Sequence, residues 1–391
     1  MDWNNKTAAN VKAIKPSGIR KFFDIAAQVK GVLSLSIGEP DFAAPDKVLD
    51  AMKASLDAKE TSYTGNSGMM ELREAISLHF EKRYGVHYDP KDEILVTVGV
   101  SEGLAMALLA ITEPGDEVII PDPAYVAYPA SVELAGGTPV FVPTYPEHDF
   151  KLTVEALEKV ITPKTKAIVI GYPNNPTGTV MSAEELMPIA KFAEEHDLIV
   201  LSDEIYCELM YGDAKFTSFA KLPGMRERTV IFNGFSKAYA MTGMRLGYVC
   251  APREGLAPIL KLHQYAIMCA NTTAQVGGIT ALKECDDDVE AMRQEYDRRR
   301  KVIYKGLCDM GLPVFEPKGA FYIFPDIRCT GMTSAEFCEK LVQEEKVAVV
   351  PGTAFGAQGE GFVRISYAAS MDTIQEALKR MARFVEKYRS C

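Results

Sequence analysis

The chain has 391 residues, of which 47% are hydrophobic and 25% charged, and its 53 acidic against 43 basic side chains give a formal charge of −10. This length allows two or three domains and a large core without disulfide or metal staples, and the acidic balance argues against a general nucleic-acid binder, which needs surplus Lys and Arg. The apolar stretch Leu104–Ile111 falls far short of the roughly 20 residues of a membrane span, and the polar start MDWNNKTAAN has no signal-peptide pattern, so the cytosol is the expected location.

Short β-branched runs then recur along the chain: Ile94–Val98, Glu117–Pro121, Pro139–Val142, Ala167–Gly171, Leu198–Ser202, Thr229–Phe232 and Arg245–Cys250. Between them lie helical patterns such as Val154–Val160 and Ala183–His196. Alternating strands and helices, with near-continuous apolar strands, predict a mostly parallel sheet covered on both faces. Ligands in such sheets sit at the carboxyl ends of the strands. The last third changes character. A charged helix from about Asp286 to Gly311 precedes Ala320–Phe324, a helix over Ser334–Glu345, strands Val347–Val350 and Phe362–Ser366, and a terminal helix from Met371. This mixed pattern predicts a second, smaller α+β domain.

The segments after the strands carry the chemistry. Gly99-Val100-Ser101-Glu102-Gly103 leads from a strand into a helix, and such a turn offers free N–H groups to a phosphate, although most are only turns. Tyr172–Gly178 reads YPNNPTG, either a tight loop or a rigid one projecting an Asn amide. Asp203 follows a buried strand, where it either caps a helix or pairs with a ligand cation. Lys237 follows another; a lysine there usually snorkels to water, but a buried one becomes a nucleophilic amine able to form a Schiff base. Arg245 adds a phosphate-suited fork. Together these strand ends describe a site for an anionic, phosphorylated, aldehyde-bearing heterocycle. The eight cysteines form no CxxC and the five histidines no HExxH, so no metal is expected.

At this point the chain resembles the pyridoxal-phosphate-dependent class I/II aminotransferases, from about Gly31 to Arg389. The motifs are YPNNPTG at 172–178, SDEIY at 202–206 and FSKAYAMTGMRLGY at 235–248, supported by GEPDF at 38–42, YTGNSGMMELREAI at 63–76, GAFYIF at 319–324 and VRISYA at 363–368. The resemblance implies fold type I: a three-layer α/β/α domain with a mostly parallel seven-stranded sheet over 45–285, and a smaller α+β domain from 1–44 and 286–391. It implies that Lys237 holds the cofactor as a Schiff base, Asp203 pairs with the pyridine N–H, Asn175 and Tyr206 bond the ring hydroxyl, and Tyr125 stacks on the ring. Val100, Ser101, Ser236 and Arg245 would bind the phosphate, with Tyr63 reaching in from a second subunit of a homodimer. Glu102 falls in the same phosphate loop, where its plainer reading is a favourable charge in a first helical turn. Arg364, with Asn175 and the backbone of Gly38, would grip the substrate α-carboxylate.

Two departures stand out. Many relatives carry a phosphate-binding Ser where this chain has Gly234, and some dicarboxylate-favouring relatives carry a Lys where it has Ser101. The implied activity is a ping-pong exchange between an amino acid and a 2-oxo acid, with 2-oxoglutarate as acceptor. Donors should be broad, with Phe42, Tyr63, Tyr125 and Phe321 as walls and a distal carboxylate met near Ser17–Ile19. The alternatives are a C–S β-lyase of the same fold and, ranked last, an aminotransferase-like regulator.

Overall fold

A computed structural model describes residues 1–14, 18 and 29–389. The Ser17–Ile19 expectation thus lies, apart from Gly18, outside the described residues. Twelve strands are described. β1 is Leu33–Ser34; β2 to β8 are Ile94–Thr97, Glu117–Asp122, Thr138–Pro143, Thr165–Ile170, Ile199–Asp203, Thr229–Gly234 and Gly247–Cys250. β9 to β12 are Tyr322–Ile323, Val347–Ala348, Val350–Pro351 and Val363–Ser366.

The seven strands β2 to β8 form one sheet in the order β2-β8-β7-β6-β5-β3-β4. All run parallel except β8, which pairs antiparallel with both β2 and β7. Alternation along each strand divides the side chains between two cores. Leu95, Val118, Ile120, Leu201, Phe232 and Val249 pack on one face with Leu104 and Leu108 of helix Gly99–Ile111 and Ile259 of helix Arg253–Ala266. Their neighbours face the other way. Ile119, Ile168 and Val200 meet helix Ala183–Glu195, while Ile94, Val96 and Ile231 meet helix Met70–Tyr84. A strand buried on both faces cannot alternate apolar with polar, which is why these runs read as continuous. Helix Ala183–Glu195 starts where it does because Ser182 and Glu185 satisfy each other's backbone N–H groups.

Two smaller sheets stand apart: β1 pairs parallel with β10, and β11-β12-β9 is antiparallel. Helices Asp286–Asp309, Ser334–Glu345 and Met371–Tyr388 bury Ile303, Leu341 and Phe384 against them. The sequence reading of one strand over Val347–Val350 is corrected here. Val347–Ala348 and Val350–Pro351 belong to different sheets, so the chain changes sheets at Val349. The Val154–Val160 pattern is helical only over Val154–Leu157. Among the described residues, no helix is long and apolar enough to cross a membrane.

Candidate active site

Because β2, β3, β5, β6 and β7 are parallel, their carboxyl ends share one edge of the sheet. The segments following them carry Val100 and Ser101, Tyr125, Asn175, Asp203, and Ser236 with Lys237. Antiparallel β8 begins at this same edge, so Arg245, two residues before it, joins them. All these residues line a cavity of about 840 Å³, together with Gly38, Tyr206 and, from β12, Arg364.

Lys237 Nζ donates to the Gly38 carbonyl at 2.7 Å and stands 5.8 Å from the ring centres of Tyr206 and Phe321. Burial, then the positive charge of Arg364, pulls its ammonium from 10.5 to about 8, with Glu39 and Asp203 pulling the other way. Asp203 is 8% exposed. Its Oδ2 accepts the Tyr128 hydroxyl at 2.7 Å and its Oδ1 the Ile205 N–H at 3.3 Å. Burial raises its carboxyl above the usual range, while those two bonds and Lys237 oppose the shift.

Arg364, 2% exposed, lies between the rings of Tyr322 and Phe355, 4.6 and 4.8 Å from their centres. Its Nη1 donates to Asn175 Oδ1 at 3.0 Å and its Nη2 to the Ser36 carbonyl at 2.6 Å. Its Nε is buried with no acceptor among the described residues. Tyr206 and Tyr322 share a hydroxyl contact of 2.8 Å. At the solvent-open end, Gly99 has φ +75°, and a Cβ there would come within 2.7 Å of Arg245 Nη2. Only glycine lets that guanidinium lie against the turn.

Two named residues are not brought to this cavity. Glu102 turns away from it, its carboxylate taken by the Val98 N–H and by His263; the helix start sends its side chain inward, so it does not face a cofactor there. Tyr63 is 80% exposed on the surface, away from its own chain's cavity. Of the expected walls, Phe321 is wholly buried behind Lys237, and Phe42 packs edge-on against Tyr296, 5.3 Å between ring centres. Two functional neighbours were missed. Tyr128 lies three residues after Tyr125 in PDPAYVAYP, a helical spacing that puts both rings together at 5.6 Å. Tyr322 sits within the quoted GAFYIF. Gly234 also finds its reason here: any Cβ would lie 2.8 Å from Gly247 Cα on β8, leaving no room for the Ser of many relatives.

The family model for aminotransferases of class I and II matches residues 30–381. A putative aminotransferase of Bacillus subtilis (strain 168) is 53% identical over 377 residues, covering 96% of this chain and 97% of its own. An aspartate aminotransferase of Pyrococcus abyssi is 50% identical over 376 residues, again 96% of this chain and 97% of its own. The solved structure of an aromatic aminotransferase from Pyrococcus horikoshii OT3 agrees with a TM-score of 0.90 at 49% identity, over 94% of this chain and 99% of that one. With that match running from just before β1 into the terminal helix, the chain belongs to the class I and II aminotransferases and is an enzyme that transfers amino groups.

Proposed function

We propose that this aminotransferase uses pyridoxal 5′-phosphate to move an amino group between an L-amino acid and 2-oxoglutarate in a ping-pong cycle, as a cytoplasmic homodimer. The observation that carries this reading is Lys237, a buried amine with a lowered pKa, in one cavity with a buried carboxylate and a buried arginine. The residues fit the cofactor. The cavity has the volume of a ligand site. Among the described residues Asp203 is a carboxylate without a cationic bond partner and Arg364 Nε an unused buried donor, and the Gly99 turn brings backbone and guanidinium together where a phosphate needs both.

When bound, the cofactor supplies an aldehyde for the amino group and a ring that accepts the electron pair left when the α-proton departs. The chain does the rest. Lys237 would anchor the cofactor, and its free Nζ would take the α-proton and deliver it to the carbon that was the cofactor's aldehyde. Asp203 keeps a proton on the ring nitrogen, and Tyr128 holds Asp203 in place. Asn175 and Tyr206 bind the ring hydroxyl, and Tyr125 covers the ring. Val100, Ser101, Ser236 and Arg245 hold the phosphate, joined by the partner subunit's Tyr63. Arg364 binds the α-carboxylate with Asn175 and Gly38. In this reading residues 45–285 form the cofactor domain, and 1–44 with 286–391 the smaller domain.

A panel of amino donors, each followed through the visible spectrum and then tested with 2-oxoglutarate, decides the matter. Transamination requires the acceptor, whereas a C–S lyase releases pyruvate and ammonia without one. Ser101 in place of a loop lysine favours neutral and aromatic donors. An aspartate kcat/KM above every neutral donor by about a hundredfold, roughly 3 kcal/mol in transition-state terms, would overturn that breadth.

A further inference from the structure

Glu102 stands in the first turn of helix Gly99–Ile111, yet its carboxylate points inward. Oε2 accepts the Val98 N–H at 2.6 Å, and Oε1 lies 2.6 Å from Nδ1 of His263 on helix Arg253–Ala266. The two side chains are 7% and 0% exposed. A buried carboxylate is costly unless it is well paired, so this arrangement needs a reason. An ionised carboxylate only accepts, so the proton of the bond belongs to Nδ1. Nε2 of the same ring is buried without a partner, so the imidazole is held among the described residues by Glu102 alone.

The position of the pair supplies the reason. Val98 is the residue at which β2 turns into the helix. The N–H groups of Gly99, Val100 and Ser101 follow it and precede the first intrahelical bond, so they are free to meet an anion. Glu102 occupies the one N–H at Val98 and fixes the turn that aims the others. His263 ties that turn to a second helix, which packs against both β2 and helix Gly99–Ile111. As a direct ligand Glu102 would repel a phosphate, since like charges at short range cost energy.

We propose that the Glu102–His263 pair is a strut that positions the Val98–Ser101 turn, and so sets the enzyme's preference for the phosphorylated over the unphosphorylated cofactor. Glu102 and His263 are positioning residues, not ligands. The inference rests on the pyridoxal 5′-phosphate reading above. A pair that merely packs two helices together would weaken both cofactor forms alike.

The test compares cofactor-free wild type, E102A, E102Q, H263L and H263N. Each is titrated by visible absorbance with pyridoxal 5′-phosphate and with pyridoxal, and inorganic phosphate is tried as a competitor. E102A and H263L should lose about tenfold or more in affinity for the phosphorylated form and less than about threefold for pyridoxal, the scale of a lost hydrogen bond to a charged group. Phosphate should compete less well in both variants. E102Q has one acceptor for two donors, so it keeps the Val98 bond only by turning its NH2 towards Nδ1, and it should restore the preference only in part; H263N keeps a donor near the Nδ1 position and should restore it. Equal losses for the two forms, an unchanged preference in E102A and H263L, or no rescue by H263N would overturn the strut. If E102A does not fold, H263L and H263N decide by the same criteria. If wild type binds neither pyridoxal compound, the cofactor reading itself fails; normal wild-type binding with unaltered preference in the variants sinks the strut alone.

Discussion

At the residue scale the site depends on how burial changes two charges. Burial and Arg364 together bring the Lys237 ammonium down to about 8, so the amine loses its proton as pH rises through that value. At pH 7 roughly one lysine in ten is then neutral, against about one in three thousand for an unperturbed side chain near 10.5. The rate at which pyridoxal 5′-phosphate attaches to the cofactor-free chain should therefore climb with pH up to about 8 and level off above it. A rate still rising tenfold per pH unit beyond about 9.5 would contradict the buried setting. Asp203 is the complementary case, because burial favours its neutral form while its two donors and the charge of Lys237 oppose that. Tyr128→Phe removes the Oδ2 donor and leaves a buried oxygen unpaired. The loss of about 1–2 kcal/mol should lower kcat roughly 5- to 30-fold with the fold intact, far less than Asp203→Ala, which should cost several orders of magnitude. Steady-state kinetics on cofactor-loaded variants checks the order; equal effects would mean that Tyr128 does more than orient Asp203.

At the scale of elements, close approach decides which side chains are allowed. Gly234→Ser restores the residue of many relatives, but its Cβ would meet the β8 backbone at 2.8 Å. The sheet must open, so thermal unfolding should show a loss of about 1–3 kcal/mol. Unchanged stability would mean that β7 and β8 yield more easily than their packing indicates. The same scale shows what the sequence made legible. Six of the seven central strands were readable because burial on both faces makes them near-continuously apolar, whereas the edge strand β4 is half exposed; Ser334–Glu345 was readable because its capping signals are local. The sheet change at Val349 was not, since a run of valines carries no mark of which partner each will pair with. Lys237, Asp203, Asn175 and Arg364, which line one cavity, were legible because each sits in a motif, the first three at or after the carboxyl end of a parallel strand and Arg364 within β12. His263 was not found, because a single histidine in an amphipathic helix looks the same in sequence whether or not a carboxylate from a distant segment meets it.

At the scale of the whole molecule, Tyr63 is one of the large side chains that its own fold leaves exposed. An aromatic side chain 80% exposed in the segment between helices Asp46–Asp57 and Met70–Tyr84 fits a role in another subunit. Mixing an inactive Lys237→Ala chain with a chain inactivated at Tyr63 should restore activity, because a hybrid dimer then contains one intact site. Verified hybrids that stay inactive would place Tyr63's role within its own chain. Neither parent alone should show turnover, so the assay reads assembly directly.

The hydrogen bond from Arg364 to Ser36 joins residues 328 apart, and among the described strands β1 pairs with β10 alone. A chain is made from its N-terminus, and its domains tend to fold in that order. The turn at Val98, Asp203 and Lys237 therefore leave the ribosome long before Arg364 does. A nascent chain stalled short of residue 347 lacks both β10, the partner of Leu33–Ser34, and Arg364. On the proposed reading, the residues that hold the cofactor are therefore made before the strand that supplies the grip on a substrate carboxylate, so the order of synthesis runs from cofactor site to substrate site.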